Sequence, residues 1–311
     1  TSPQIIVLFF VYEIFSLVII ILSFFEFKSV DNIVWYNNLK SYFEFKEEVL
    51  FLFAKKLKDS QTKRKSFICV GLDSDITKIP SKFKIEGTRG VEEFNKYIIS
   101  ETYEYACAYK INIAFYEMLG YKGIKTLENT VEYLKTYSDI PVIIDAKRSD
   151  ISNTAKAYAK FYFDYLKVDS ITINPLMGVD SIEPYLEFPS SHIFALVLTS
   201  NPGANDFIIP NKLYLKILEK LQELETTYKD KIGIVVGATQ KAYFDEIVEK
   251  SGDMIYLIPG VGSQGGRIED LKVLVENGKT MVINVSRGII FSDDPKREII
   301  KLREDLRGLT S

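Results

Sequence analysis

Eight short apolar runs rich in β-branched residues recur between residues 67 and 285: 67–72 (FICVGL), 106–112 (ACAYKIN), 141–147 (PVIIDAK), 169–174 (DSITIN), 193–199 (IFALVLT), 232–237 (IGIVVG), 254–258 (MIYLI) and 281–285 (MVINV). Runs of this kind, apolar almost throughout instead of alternating, belong to strands covered on both faces. Amphipathic stretches separate them, at 91–105, 123–137, 152–167, 212–229, 239–251 and 267–277. Strand–helix alternation repeated eight times predicts an α/β chain folded as a (β/α)8 TIM barrel. An open doubly wound sheet is the alternative. The barrel is favoured because charged residues recur at the C-terminal ends of the strands, where a barrel gathers its active side chains. The longest departure from the rhythm is a polar loop at 73–90.

Upstream, Val49, Leu50, Phe53, Ala54 and Leu57 follow helical spacing within 44–58, which predicts a helical extension preceding the first strand. Residues 5–25 are nearly continuous apolar sequence with Glu13 near the centre. The length suits a membrane span or an uncleaved anchor, and a buried Glu costs about 2–3 kcal/mol there. No basic region precedes the stretch and no small-residue cleavage site follows it. Two readings stay open: a membrane or targeting segment, or a leader that is irrelevant to the fold or packed elsewhere. The chain is therefore divided into an apolar leader or extension plus linker at 1–43 and a barrel at 44–311.

Composition narrows the function. In 311 residues, a net charge of −3 leaves no general basic footprint for nucleic acid, and the run Lys63-Arg64-Lys65 reads as a solvated helix end. The two cysteines, Cys69 and Cys107, sit in apolar runs and lack metal-site spacing, so they read as reduced core residues in a reducing compartment. The single histidine, His192, has no motif around it and reads as a loop or strand-edge residue, so neither a zinc site nor a Ser-His-Asp triad is expected.

The chemistry-bearing types sit at strand ends. The third run ends in Asp145-Ala146-Lys147-Arg148-Ser149-Asp150. Alternation along a strand puts Asp145 and Lys147 on one side, with Asp150 beyond the strand end. The second run places Lys110 and Asn112 on one side, the first ends at Asp73, and the fifth at Thr199-Ser200-Asn201. Two lysines and at least two acids thus converge on one mouth, and burying such charges is costly unless they are paired. Runs seven and eight lead into Pro259-Gly260-Val261-Gly262-Ser263-Gln264-Gly265-Gly266 and Asn284-Val285-Ser286-Arg287-Gly288. In barrels these two loops commonly grip a phosphate through backbone N–H groups, here with Gln264 and Arg287 as further donors.

Five segments in order resemble the orotidine 5′-phosphate decarboxylase family: Cys69–Asp73, Tyr109–Tyr116, Asp145–Ile151, Pro259–Gly262 and Asn284–Arg287. Ile173–Gly178 and Ala155–Ala159 are similar to the branch found in certain bacteria and malaria parasites. The D-x-K-x-x-D motif is shared with sister barrel enzymes, whereas the Lys-x-Asn-x-Ala-Phe-Tyr stretch is more specific. The resemblance spans about 45–308 and implies decarboxylation of orotidine 5′-monophosphate (OMP) to UMP, without metal or cofactor, in the cytoplasm.

It also implies roles. Lys110, Asp145, Lys147 and Asp150 would form a catalytic charge network, with Lys147 protonating C6 of the pyrimidine. Asp145 would lie beside the substrate carboxylate, and Lys110 would orient Asp145 and bond the ribose. Asp150, Ile151 and Thr154 would reach a neighbouring subunit's site, making a homodimer. Asp73 and Asn112 would contact the ribose, Thr199 and Ser200 the base, and Gln264, Ser286 (through its backbone) and Arg287 the phosphate. The sister enzymes use Mg²⁺ with an acid at the second-strand position; Lys110 stands there, and a cation repels the metal. Some relatives are fused to orotate phosphoribosyltransferase, for which 40 upstream residues are too few.

Overall fold

The computed structural model describes residues 52–85, 87–262 and 265–310; the apolar stretch 5–25, the linker and the start of the expected helical extension lie outside these. Eight parallel strands close into a barrel in sequence order. They are β1 (Ile68–Gly71), β2 (Ala108–Asn112), β3 (Val142–Arg148), β4 (Ser170–Ile173), β5 (His192–Leu198), β6 (Ile232–Val236), β7 (Ile255–Pro259) and β8 (Met281–Val285). Each falls on one of the eight apolar runs, within two residues at either end. The seam pairs Ile68 with Ile283, Cys69 with Asn284 and Val70 with Val285.

A helix, α1 (Leu52–Arg64), precedes β1, and the barrel is then wrapped by α2 (Arg89–Thr102), α3 (Gly120–Lys135), α4 (Ser152–Lys160), α5 (Glu183–Leu186), α6 (Leu213–Glu225), α7 (Phe244–Lys250), α8 (Lys272–Glu276) and α9 (Pro295–Thr310). The expected helix at 152–167 continues past α4 as a π-helical turn, Phe161–Tyr165, and that at 267–277 begins as a 3-10 turn, Ile268–Leu271. The one-turn α5 and the terminal α9 were not among the expected helices.

The two faces of the sheet serve different cores. Alternate strand residues such as Val70, Tyr109, Ile144, Ile171, Ala195, Ile234 and Ile283 pack in the large cluster with the outer helices. The others, including Cys69, Ala108, Ile143, Phe194, Val235, Leu257 and Val282, meet inside the barrel with Phe53 and Leu57 of α1. The helical extension therefore stoppers the N-terminal end. Ser60 Oγ donates to the Cys107 carbonyl at 2.8 Å, Gln61 Nε2 to the Met281 carbonyl at 2.8 Å, and Lys56 pairs with Asp169 at 2.8 Å. The first two bonds satisfy backbone acceptors where the strands begin, and the third is an ion pair between side chains.

His192 is the first residue of β5, and it is fully buried. Its ring stacks on Phe53 with centroids 4.1 Å apart, and Nδ1 shares a hydrogen bond with Ser170 Oγ at 2.9 Å. Burial and the nearby Lys231 charge push its pKa down to about 3, so it stays neutral and structural. The basic run differs from the solvated helix end expected of it. Lys63 is exposed, but Arg64 is buried, donates Nε to the Tyr103 carbonyl at 2.9 Å and pairs with Asp139 at 3.1 Å. Cys69 and Cys107 are free and buried, and burial drives both thiol pKa values up, that of Cys107 to about 12.

Candidate active site

Going up the barrel from the apolar stopper, the inward positions turn polar. Lys110 follows Ala108, Asp145 follows Ile143, Thr172 follows Ser170 and Asn284 follows Val282, two residues on in each strand. Lys110 Nζ donates to Asp145 Oδ2 at 2.8 Å and lies 4.0 Å from Asp73 Oδ1. Lys147 Nζ donates to Asp145 Oδ1 at 2.6 Å, and Thr172 Oγ1 donates to the same oxygen at 2.8 Å. One carboxylate thus accepts from two ammonium groups and a hydroxyl.

The electrostatics follow. Burial works against the charge on Asp145, but Lys110 and Lys147 outweigh it and hold the carboxyl well below its usual range. Burial likewise works against the charge on Lys110, and Asp145 and Asp73 overcome it and raise its pKa. Both groups stay ionised across the physiological range. Lys147 differs in exposure: its side chain is 50% accessible against 4% for Lys110, so it is the cation a ligand in the mouth can meet.

Asp145 and Lys147 meet as expected, but strand alternation is not the reason. Lys147 has φ +46°, in the left-handed region, and the β3–β4 ladder loses register between Ile144 and Arg148. A bulge re-aims the lysine. Arg148 then ties the strand end down: Nε donates to Tyr162 Oη at 2.9 Å, the guanidinium lies 5.0 Å from the Tyr158 ring centroid, and it pairs with Glu117.

The other expected residues are distributed as follows. Asp150 and Ile151 lie in the turn before α4, where Asp150 Oδ1 accepts the Ile151 N–H at 2.8 Å. Thr154, in the first turn of α4, is exposed like Ile151. Among the described residues, Asp150 makes no ion pair with Lys147, so three members of the four-residue network come together within this chain. Asp73 follows β1, with its buried Oδ1 lacking a hydrogen-bond partner, and Asn112 Oδ1 accepts the Ala114 N–H at 3.2 Å. Thr199 and Ser200 follow β5, their carbonyls accepting from Gln240 Nε2 at 2.7 Å and Thr239 Oγ1 at 3.1 Å.

At the far side of the mouth, Gly266 N–H donates to the Gly260 carbonyl at 3.1 Å and Gly262 N–H to the Gly266 carbonyl at 2.9 Å, folding the β7 loop on itself. A Cβ at Gly266 would lie 2.4 Å from that of Ala238, so only glycine fits. Ser286 and Arg287 follow β8 at the start of a one-turn helix, Arg287–Ile290, with Ser286 Oγ buried and Arg287 exposed. Gln264 lies outside the described residues.

Three contributors were not singled out from the sequence. Thr172 is a β-former in a strand, Arg148 is one more charge within the Asp145–Asp150 motif, and Asn95 is one polar residue on an amphipathic helix. Asn95 accepts from Ser74 Oγ at 2.5 Å and donates to Tyr116 Oη at 2.9 Å and Thr130 Oγ1 at 3.0 Å, anchoring the loop that carries Asp73. Hydroxyl and amide partners of this kind carry no charge signal; only the fold brings them together.

A closed parallel barrel with paired lysines and an aspartate at its C-terminal mouth defines a barrel enzyme whose site carries the fixed charges and proton donors that acid–base chemistry needs. Residues 66–302 match the orotidine 5′-phosphate decarboxylase / HUMPS family, and the chain belongs to that family. It is 43% identical over 247 residues to an orotidine 5′-phosphate decarboxylase of Christiangramia forsetii, an alignment covering 78% of this chain and 90% of that one. Among solved structures it is similar to Leishmania donovani UMP synthase (TM-score 0.74, 33% identity), covering 83% of this chain and 56% of that chain. It is also similar to Plasmodium berghei orotidine 5′-monophosphate decarboxylase (TM-score 0.72, 27% identity), covering 83% and 98%. Among the described residues no helix is long and apolar enough to cross a membrane.

Proposed function

We propose that this chain decarboxylates OMP to UMP without metal or organic cofactor, as a homodimer with shared active sites. The observation that carries the reading is the Lys110–Asp145–Lys147 array, three charges in contact on rigid strands with one ammonium open to the mouth.

Loss of CO2 from C6 leaves an electron pair in the plane of the pyrimidine ring, where the ring π system cannot accept it. In the proposed reaction the C6–carboxylate bond breaks, CO2 departs, and the pair on C6 takes a proton from the Lys147 ammonium, which solvent later restores. A fixed ammonium stabilises the developing carbanion and supplies the proton at the same atom. Asp145 holds Lys147 in place and sets a negative charge against the substrate carboxylate, disfavouring the ground state. Lys110 keeps Asp145 ionised and offers its remaining donors to the ribose, with Asp73 Oδ1 and Asn112 as acceptors nearby. Thr199 and Ser200 face the base, and Gln264, the Ser286 backbone and Arg287 take the phosphate. Binding energy from that remote phosphate is available to assemble the site.

Asp150, Ile151 and Thr154 serve the neighbouring subunit's site. In support, Ile151, Met118, Tyr121, Leu176 and Met177 expose apolar side chains on the segments following β2, β3 and β4, as an isologous dimer contact at this side of the barrel would require. Two buried free thiols suit a cytoplasmic setting. The test is the loss of OMP absorbance with purified protein in excess chelator. Turnover is expected; an unchanged spectrum at micromolar enzyme would overturn the reading.

A further inference from the structure

The hydroxyl of Thr172 sits where three constraints meet. Between the register pairs Ile144–Ile171 and Arg148–Ile173, three residues of β3 stand opposite the single residue Thr172 of β4. Such a bulge takes backbone groups out of the ladder and leaves them in need of partners. The Lys147 N–H is one of them, and it donates to Thr172 Oγ1 at 2.9 Å. Thr172 Oγ1 in turn donates to Asp145 Oδ1 at 2.8 Å, and that oxygen receives Lys147 Nζ at 2.6 Å. The chain of bonds therefore begins and ends on Lys147, backbone at one end and ammonium at the other.

The direction of each bond is fixed by chemistry. An ionised carboxylate can only accept and a backbone N–H can only donate, so the one hydroxyl proton must point at Asp145. Thr172 is 1% exposed, so water does not compete for it. Its partner across the next ladder is Phe194, an inner-core residue, which packs the strand against movement. The half-exposed Lys147 side chain has no other ion pair among the described residues. Its aim depends on the Asp145 carboxylate and on a left-handed backbone that lysine rarely adopts.

We infer that Thr172 is a positioning residue for the proton delivery proposed above: its hydroxyl locks the Lys147 backbone and the Asp145 carboxylate in one geometry. It acts through these two residues and touches no substrate atom. The inference rests on the decarboxylase reading for its kinetic consequence, and on the geometry alone for its structural one.

Thr172→Val keeps the branched shape and removes the hydroxyl, leaving the Lys147 N–H without an acceptor. Thr172→Ser keeps the hydroxyl. Thr172→Val is expected to lower kcat for OMP by roughly 10- to 100-fold, with KM and the calorimetric Kd for UMP within about 3-fold of wild type. Thr172→Ser is expected to recover kcat to within about 5-fold of wild type. A kcat for Thr172→Val within about 3-fold of wild type, a serine variant as slow as the valine one, or UMP affinity falling in step with kcat would each overturn the assignment. Failure of the wild-type protein to turn over OMP would count against the decarboxylase reading instead. The crystal structure of Thr172→Val decides the positioning separately. Lys147 leaving its left-handed φ, or its ammonium parting from Asp145, upholds the assignment; an unchanged pair overturns it.

Discussion

Lys110 and Lys147 hold the same carboxylate, yet their burial assigns them different work. Lys110 is enclosed, and without Asp145 its buried charge would keep only the more distant Asp73 carboxylate, 4.0 Å away. Lys147 is half open, so its removal leaves the core intact. Lys147→Ala is therefore expected to lower kcat by about 10³-fold or more while the Kd for UMP and the melting temperature stay close to wild type. Retained kcat in a steady-state assay would remove Lys147 from the donor role. The charge pairing, which outweighs burial at both groups, fixes a pH dependence. The folded pKa of Asp145 is depressed, so its stabilisation is present above the unfolded value of about 3.9 and is lost as pH falls through the folded value. The folded pKa of Lys110 is raised, so its stabilisation is present below about 10.4 and is lost as pH rises beyond that. Urea titrations should find no contribution from this pair to pH dependence between about pH 5 and 9, and an acid-side loss below about pH 4 that Asp145→Asn diminishes.

At the scale of elements, α1 is the part whose removal the barrel would feel furthest from its chemistry. Phe53 and Leu57 fill the inner cluster at the strand beginnings, and Phe53 also covers His192. Phe53→Ala is expected to cost about 3–5 kcal/mol in denaturant unfolding at neutral pH, with kcat for OMP within about 2-fold of wild type. A comparable loss of kcat would mean that the stopper and the mouth are coupled. How much of this was legible differs by element. The eight strands were, because burial on both faces writes itself as unbroken apolar sequence. The Asp145–Lys147 partnership was, because charge at a strand end is expensive and visible. The left-handed turn at Lys147 was not, since nothing in a lysine signals positive φ; the opposing strand imposes it. The buried state of Arg64 was hidden because its partners, Tyr103 and Asp139, come from elsewhere in the chain. The closing helix α9 carries a start signal, Asp294 before Pro295, but it follows the last strand and so lies outside the strand–helix alternation.

For the whole molecule, the proposed sharing of sites makes a numerical forecast. In the proposed dimer a site would take Lys147 from one subunit and Asp150 from the other. Lys147→Ala and Asp150→Ala subunits, each inactive alone, should on mixing and reassembly recover about a quarter of wild-type activity, because half the dimers carry one intact site of two. No recovery in a mixture shown to exchange subunits would place all four charges within one chain. The barrel seam has a consequence of another kind. Lys110, Asp145, Lys147 and Thr172 lie in the first half of the barrel, whereas the strand that closes on β1 is the last made. Gly71, at the end of β1, lies so close to Ser286 that an added Cβ would stand 2.7 Å from the serine Cβ, so the first and last strands meet with no slack. During synthesis the charged residues thus leave the ribosome well before the strand that encloses them. A nascent chain carries its chemistry as loose ions in water, and it becomes a catalyst only when its final strand arrives.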